Sequence, residues 1–130
     1  MSFQSLLNDG RSATTVLAVD FDDVAALAAD LPETTVSTSY GTPALKVRKK
    51  LLCRMWPDDN VLVLRTDDAE KEALLHDDPA TYFSTDHYDG HPYVLVRLDE
   101  ADADELAELL SAGWYEVATP AMAKTRYTLD

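Results

Sequence analysis

The stretch Val36-Ser37-Thr38-Ser39-Tyr40-Gly41-Thr42-Pro43-Ala44-Leu45-Lys46-Val47-Arg48-Lys49-Lys50-Leu51-Leu52-Cys53-Arg54-Met55-Trp56 decides the fold. It is rich in β-branched and alternating residues and carries no helical period, which marks short strands. The expected strands are 36–40, 45–48, 51–56 and, just beyond, 61–65. Gly41-Thr42-Pro43, Lys49-Lys50 and Pro57-Asp58-Asp59-Asn60 separate them. Joints this tight connect neighbouring antiparallel strands, so the segment is a meander of three or four strands.

Helical patterns flank the meander. Asp20 lies three residues before Asp23, and Phe21, Val24, Ala25, Ala28 and Leu31 recur at helical spacing, giving a capped helix over 20–30 that Pro32 stops. Asp67 with Glu70 has the form of a capping box opening a helix over 69–76. Two strands, 82–85 and 93–98, then flank the turn His87-Tyr88-Asp89-Gly90-His91-Pro92. A second capping-box pair, Asp102 and Glu105, opens the longest helix, whose apolar stripe is Leu106, Leu109, Leu110, Gly113, Trp114 and Val117. Thr119-Pro120 starts a final short helix reaching about Arg126. Residues 1–19 show no sustained period and read as a tail or docking segment, leaving 20–130 as one domain. The order α-β-β-β-α-β-β-α defines a two-layer α+β domain, an antiparallel sheet packed on helices with its other face open.

At 130 residues and 14.4 kDa, the chain has room for one hydrophobic core. Its 11 basic and 24 acidic residues give a net charge of -13, which excludes coating DNA or an anionic membrane by bulk attraction. The apolar runs are too short to span a bilayer, and Met1-Ser2-Phe3-Gln4-Ser5 is unlike a secretory leader, so the expected compartment is cytoplasmic and no membrane partner is expected. The single cysteine, Cys53, permits neither an internal disulfide nor a cysteine-rich zinc site.

Charge is not evenly spread. Six basic residues and two acidic ones fall between Ala44 and Thr66, a local +4 that leaves -17 for the rest. Alternation along strands turns Leu45, Val47, Cys53, Leu51, Met55, Val94, Val96 and Leu98 toward the helices. Lys46, Arg48, Arg54, Trp56, Tyr93 and Arg97 then face outward, and Arg65 joins them if Val61 and Val63 also face out. Such a basic and aromatic face suits nucleic acid, an acidic protein segment or another anionic partner. The same residues also serve as solvated positions that blunt sheet edges.

Sharper chemistry finds little foothold. His87 and His91 lie four apart beside Asp86 and Asp89, but in turn chemistry rather than on a helix, so no metal site is expected. Cys53 reads as a buried thiol rather than a nucleophile. The carboxylates crowd helix N-termini, where capping explains them better than acid–base catalysis. Four glycines cannot build a Walker loop or a dinucleotide fingerprint, so no cofactor is expected. With no catalytic constellation, the chain reads as a non-enzymatic binding module. The competing site is a small-ligand pocket formed near Tyr40, Lys46, His87 and Tyr88.

Ser39-Tyr40-Gly41-Thr42-Pro43-Ala44-Leu45-Lys46-Val47, the later run Tyr82-Phe83-Ser84-Thr85-Asp86-His87-Tyr88-Asp89-Gly90-His91-Pro92 and the block Val94-Leu95-Val96-Arg97-Leu98 resemble the MmcQ/YjbR family. So do Leu31-Pro32-Glu33-Thr34-Thr35, Asp68-Ala69-Glu70-Lys71-Glu72-Ala73-Leu74-Leu75 and Glu105-Leu106-Ala107-Glu108-Leu109-Leu110, and the blocks stand in the family's order across roughly 20–126. The resemblance implies a topology akin to frataxin-like and secretion chaperone-like domains. It also implies a double-wing sheet of DNA-binding type, with Lys46, Arg48, Lys49, Lys50 and Arg54 as wing residues. Gly113 and Tyr115-Glu116-Val117 depart from the family pattern, the latter replacing a more basic stretch. The candidate binding face is therefore Lys46, Arg48, Lys49, Lys50, Arg54, Trp56, Arg65 and Arg97, with Tyr40, His87 and Tyr88 as a candidate pocket.

Overall fold

The structure, a computed structural model, describes residues 19–57 and 59–129. The expected tail or docking segment over 1–19 lies outside them apart from Val19. The chain runs through α1 (Phe21–Leu27), β1 (Thr34–Ser39), β2 (Thr42–Val47), β3 (Lys50–Met55), β4 (Val61–Arg65), α2 (Asp68–Asp77), β5 (Tyr82–Phe83), β6 (Tyr93–Arg97), α3 (Ala103–Val117) and α4 (Pro120–Leu129). The six strands form one antiparallel sheet in the order β1-β2-β3-β4-β6-β5. All four runs read from the meander are strands, and the architecture is the expected α+β one.

Helix N-termini follow the cap residues. Asp20 accepts from the Asp23 amide while Asp23 accepts in return from the Asp20 amide, a complete capping box. The other two expected boxes are half formed. Asp67 accepts from the Glu70 amide and Asp102 from the Glu105 amide. The Glu105 carboxylate instead accepts the buried Tyr82 hydroxyl, a bond across the fold that outweighs an exposed local cap. Burial, then this bond, holds the Tyr82 phenol well above its ordinary pKa. Helix α1 also ends three residues before Asp30, because the Ala29 and Leu31 amides bond back only three residues, to Ala26 and Ala28, as the chain turns with Ala28 and Leu31 in the core.

The main core lies between sheet and helices. The whole predicted stripe of α3 is buried, and Leu106, Leu110 and Trp114 are fully so, packed with Leu45, Val47, Leu52, Leu62, Leu64, Val94 and Val96. Trp114 Nε1 donates to the Pro32 carbonyl at 2.8 Å, which ties α3 to the segment entering β1. Gly113 lets α3 approach the sheet closely. A Cβ there would lie 2.7 Å from the Arg65 carbonyl oxygen and 3.0 Å from Leu52 Cδ1.

Two features break simple alternation. Leu45 pairs with Cys53 but Lys46 pairs with Leu51, so β3 carries a bulge at Leu52. Leu52 and Cys53 both point into the core, and Leu51, expected there, emerges on the outer face beside Lys46. The outer face is also not open. Val61, Val63, Leu95 and Tyr88 form a second buried cluster flanked by Trp56, Phe83 and Tyr93. The expected strand over 82–85 stops at Phe83, and the chain then makes a short helical turn at Asp86–Tyr88 that folds Tyr88 over the sheet.

Gly113→Ala tests the approach of α3. Alanine favours helix by about 1 kcal/mol, yet the clash with backbone should give a net loss of about 1–3 kcal/mol, read as a lower midpoint in chemical denaturation. Unchanged or higher stability would show that the helix seat is slack.

Candidate functional site

The β1–β2 hairpin turns through Tyr40 and Gly41, both at positive φ (52° and 77°), with Ser39 paired to Thr42. This two-residue geometry suits asparagine or glycine at its first central position. A tyrosine there costs on the order of 1 kcal/mol in backbone strain. The residue is 91% exposed, and its ring lies beside the Arg54 guanidinium, 5.3 Å from centroid to Cζ. Folding alone gains little from that placement.

Arg54 points outward from β3, as alternation requires, but it is only 8% exposed. Nη2 donates to the Tyr88 hydroxyl at 3.0 Å, and Nη1 makes long contacts to Thr42 Oγ1 (3.3 Å) and the Met55 carbonyl (3.4 Å). Trp56 also lies within cation–π range at 5.8 Å. Among the described residues no carboxylate oxygen comes within 4.0 Å of this guanidinium. A buried charge without a counter-ion is expensive. Here it occurs in a chain with 24 carboxylate side chains to draw on.

Tyr88 comes from the 86–92 turn, which Lys71 holds in place. Lys71, buried on α2, donates from Nζ to the Tyr88 carbonyl at 2.8 Å and to the His91 carbonyl at 3.0 Å. The Thr66 amide bonds the Pro92 carbonyl at 2.9 Å, securing the far end of the turn. His87 stands edge-on to Tyr88 (4.7 Å between centroids) and stacks toward His91 (6.4 Å, 23° between planes). Neither imidazole has a hydrogen-bond partner among the described residues. Next to them, Arg65 donates Nε to the Leu51 carbonyl at 2.8 Å and Nη2 to the Tyr93 hydroxyl at 2.7 Å.

Tyr40, Leu51, Arg54, His87, Tyr88, His91 and Tyr93 enclose a recess of about 230 Å³. The three residues expected to form a pocket, Tyr40, His87 and Tyr88, do come together there. Of the candidate binding face, Arg54 supplies the floor. Arg65 stands behind Tyr93, and Lys46 lies one strand over, paired with Leu51. Trp56 packs against Tyr88 at 6.1 Å, supporting the floor from the side.

The remaining basic residues do not converge on the recess. Arg48 leaves the sheet in a turn at φ 58° and forms a two-point ion pair with Glu33 (3.0 and 3.2 Å), both side chains about half exposed. Lys49 and Lys50 are exposed at that hairpin end. Arg97 lies at the opposite end of the face, over the Phe83 ring at 4.1 Å and donating to the Pro79 and Ala80 carbonyls. A larger hollow of about 480 Å³ opens beside it, but Asp59, Asp99 and Glu100 line it and repel anions.

The sequence reading missed Lys71 and did not place His91, Tyr93 or Leu51 in the site. The one signal for Lys71 is its position three residues before Leu74 and four before Leu75, on the side of α2 that turns inward. Cys53 is buried as expected, and burial pushes its thiol from 9.0 up to about 12. No group of three or more His, Cys, Asp or Glu among the described residues is placed to hold a metal.

A sheet backed by helices on one face, with a recess beside Arg54 on the other, defines a small α+β fold. The chain belongs to the YjbR family, whose model matches residues 29–115. It is 33% identical over 109 residues to uncharacterised proteins of Mycobacterium bovis and Mycobacterium tuberculosis, covering 72% of this chain and 84% of each of theirs. The crystal structure of a Deinococcus radiodurans protein with a DUF419 domain shares the fold. Its TM-score is 0.69 at 23% identity, over 83% of this chain and 88% of that one. Among the described residues no helix is long and apolar enough to cross a membrane.

Two predictions follow from this geometry. Because the folded thiol keeps its proton to a higher pH than the unfolded one, Cys53 contributes its full stabilisation below pH 9 and loses it as pH rises toward 12. A disulfide reagent at mildly alkaline pH should therefore label Cys53 only on unfolding, and rapid native labelling would contradict its burial. Lys71→Met leaves two carbonyls without their donor, at a cost of about 1–3 kcal/mol. Hydrogen exchange should accelerate over residues 86–92 while the amides of α3 stay protected; uniform protection would remove the clamp.

Proposed function

We propose that this chain is a binding module that receives an anionic group of its ligand in the recess over Arg54. The observation that carries this reading is the buried guanidinium, which no carboxylate of the described residues approaches within 4.0 Å. A structural arginine at such a position would be expected to have a carboxylate partner, whereas a binding arginine must leave the place for the ligand's anion. The strained, exposed Tyr40 supports the same reading, since strain of this kind persists where a site requires it. At about 230 Å³ the recess falls below the usual range for sites that engulf a whole small molecule. It therefore grips one group and leaves the rest of the ligand outside.

A single-stranded nucleic acid is the second reading, favoured by the exposed Tyr40 ring and by Lys49 and Lys50 on the adjoining hairpin. A stacking platform beside cations is how such strands are held. An acidic protein segment would engage the same guanidinium through its carboxylates.

Titration of ¹⁵N-labelled protein with acetate, sulfate and phosphate at low ionic strength separates these readings. Amide shifts should concentrate at Arg54 and residues 86–93. Arg54→Met should abolish them while leaving the fold as stable or more so, because an unpaired buried charge is removed. Shifts that persist in Arg54→Met, or their absence with every anion, would sink the recess reading. Binding of a labelled oligothymidine that weakens steeply with salt and is lost on Lys49→Ala and Lys50→Ala would favour the nucleic-acid reading instead.

A further inference from the structure

We propose that the group held in the recess is the phosphoryl of a small phosphomonoester, in preference to a carboxylate. This rests on the recess being an anion site and adds which anion it fits. Arg54 Nη1 is already committed to Thr42 and Met55, and Nη2 gives one hydrogen to Tyr88. Nε–H and one Nη2 hydrogen remain for the ligand.

The other donors are two phenols, each polarised by an arginine. The Tyr88 hydroxyl accepts from Arg54 and the Tyr93 hydroxyl from Arg65, so each keeps its own hydrogen to donate, and among the described residues neither finds an acceptor. Accepting from a cation makes a hydroxyl a stronger donor. The two rings lie 6.0 Å apart, inclined at 66°, and both line the recess, so the two phenols approach it from differently oriented ring planes beside the guanidinium. His87 and His91 add imidazole nitrogens from the wall.

A carboxylate presents two oxygens in one plane and is best met by the fork of a single guanidinium. A phosphoryl group presents three oxygens in a pyramid and can take up the guanidinium and both phenols together. Charge points the same way. Arg54 and Arg65 set two positive charges behind the donors, matching the roughly −1.5 to −2 of a phosphomonoester at neutral pH. The organic part of the ligand then leaves the recess past the exposed Tyr40 ring, which offers a flat apolar surface.

Isothermal titration with phenyl phosphate and with benzoate tests the choice, because the two share a ring and differ in the anion. Phenyl phosphate should bind about tenfold or more tightly than benzoate. Tyr93→Phe, which removes a hydroxyl at a half-buried position, should reduce that ratio severalfold by weakening phenyl phosphate much more than benzoate. Tyr88→Phe should do the same, with circular dichroism reporting whether it still folds. Equal affinity for the two compounds would overturn the phosphoryl assignment and leave the anion site standing. No binding of either would overturn both. A 5′-phosphorylated oligothymidine that binds where phenyl phosphate does not would also overturn the assignment, moving the site to nucleic acid.

Discussion

A six-stranded sheet has two faces, and the helices of the described chain pack against one of them. The other would expose Val61, Val63 and Leu95 to water if nothing covered it. Cover comes from a single loop, and that loop stays in place because a buried ammonium on α2 bonds two of its carbonyls. Lys71 therefore acts on the far side of the sheet from most of the core that α2 helps to build. Releasing it would uncover the second cluster and remove the wall of the recess in one event, since both belong to residues 86–92.

Electrostatics gives the recess its character. The molecule as a whole carries -13, yet the recess holds an arginine whose hydrogen-bond partners among the described residues are all neutral. Long-range repulsion of anions by the acidic helices and short-range attraction by Arg54 and Arg65 act at different distances. Salt screens the first more than the second, because the acidic side chains of the helices are mostly exposed while the Arg54 guanidinium is buried. On the proposed anion-binding reading, weak non-specific anion binding is thus suppressed, and a ligand must reach the floor to gain anything.

The meander, the stripe of α3 and the caps of the helices were legible from the residues because each is a local pattern with a local cause. The face carrying Arg54, Trp56, Arg97 and Lys46 was legible too, since alternation alone sorts a strand. Burial on that face was not. It depends on Tyr88 arriving from a turn more than thirty residues downstream of Arg54, and no periodicity encodes where a turn lands. Arg48 was misplaced for a related reason: the left-handed backbone at the hairpin end swings its side chain to Glu33, outside the alternation that governs the strand. Lys71 was hidden because a lysine near the start of a helix ordinarily signals solvent.

The bulge in β3 has a consequence for the length of this strand. Leu52 and Cys53 share the inner face, so the inside–outside rhythm pauses for one residue and then resumes. Removing either of them would restore plain alternation without moving Leu51 or Arg54 to the wrong side. Deleting any other residue within the strand would invert everything on one side of the cut and drive a guanidinium inward or an aliphatic chain out. The strand thus has one site at which its length can change by a single residue while both the core and the recess keep their parts. That site sits between the two residues on which the recess rests.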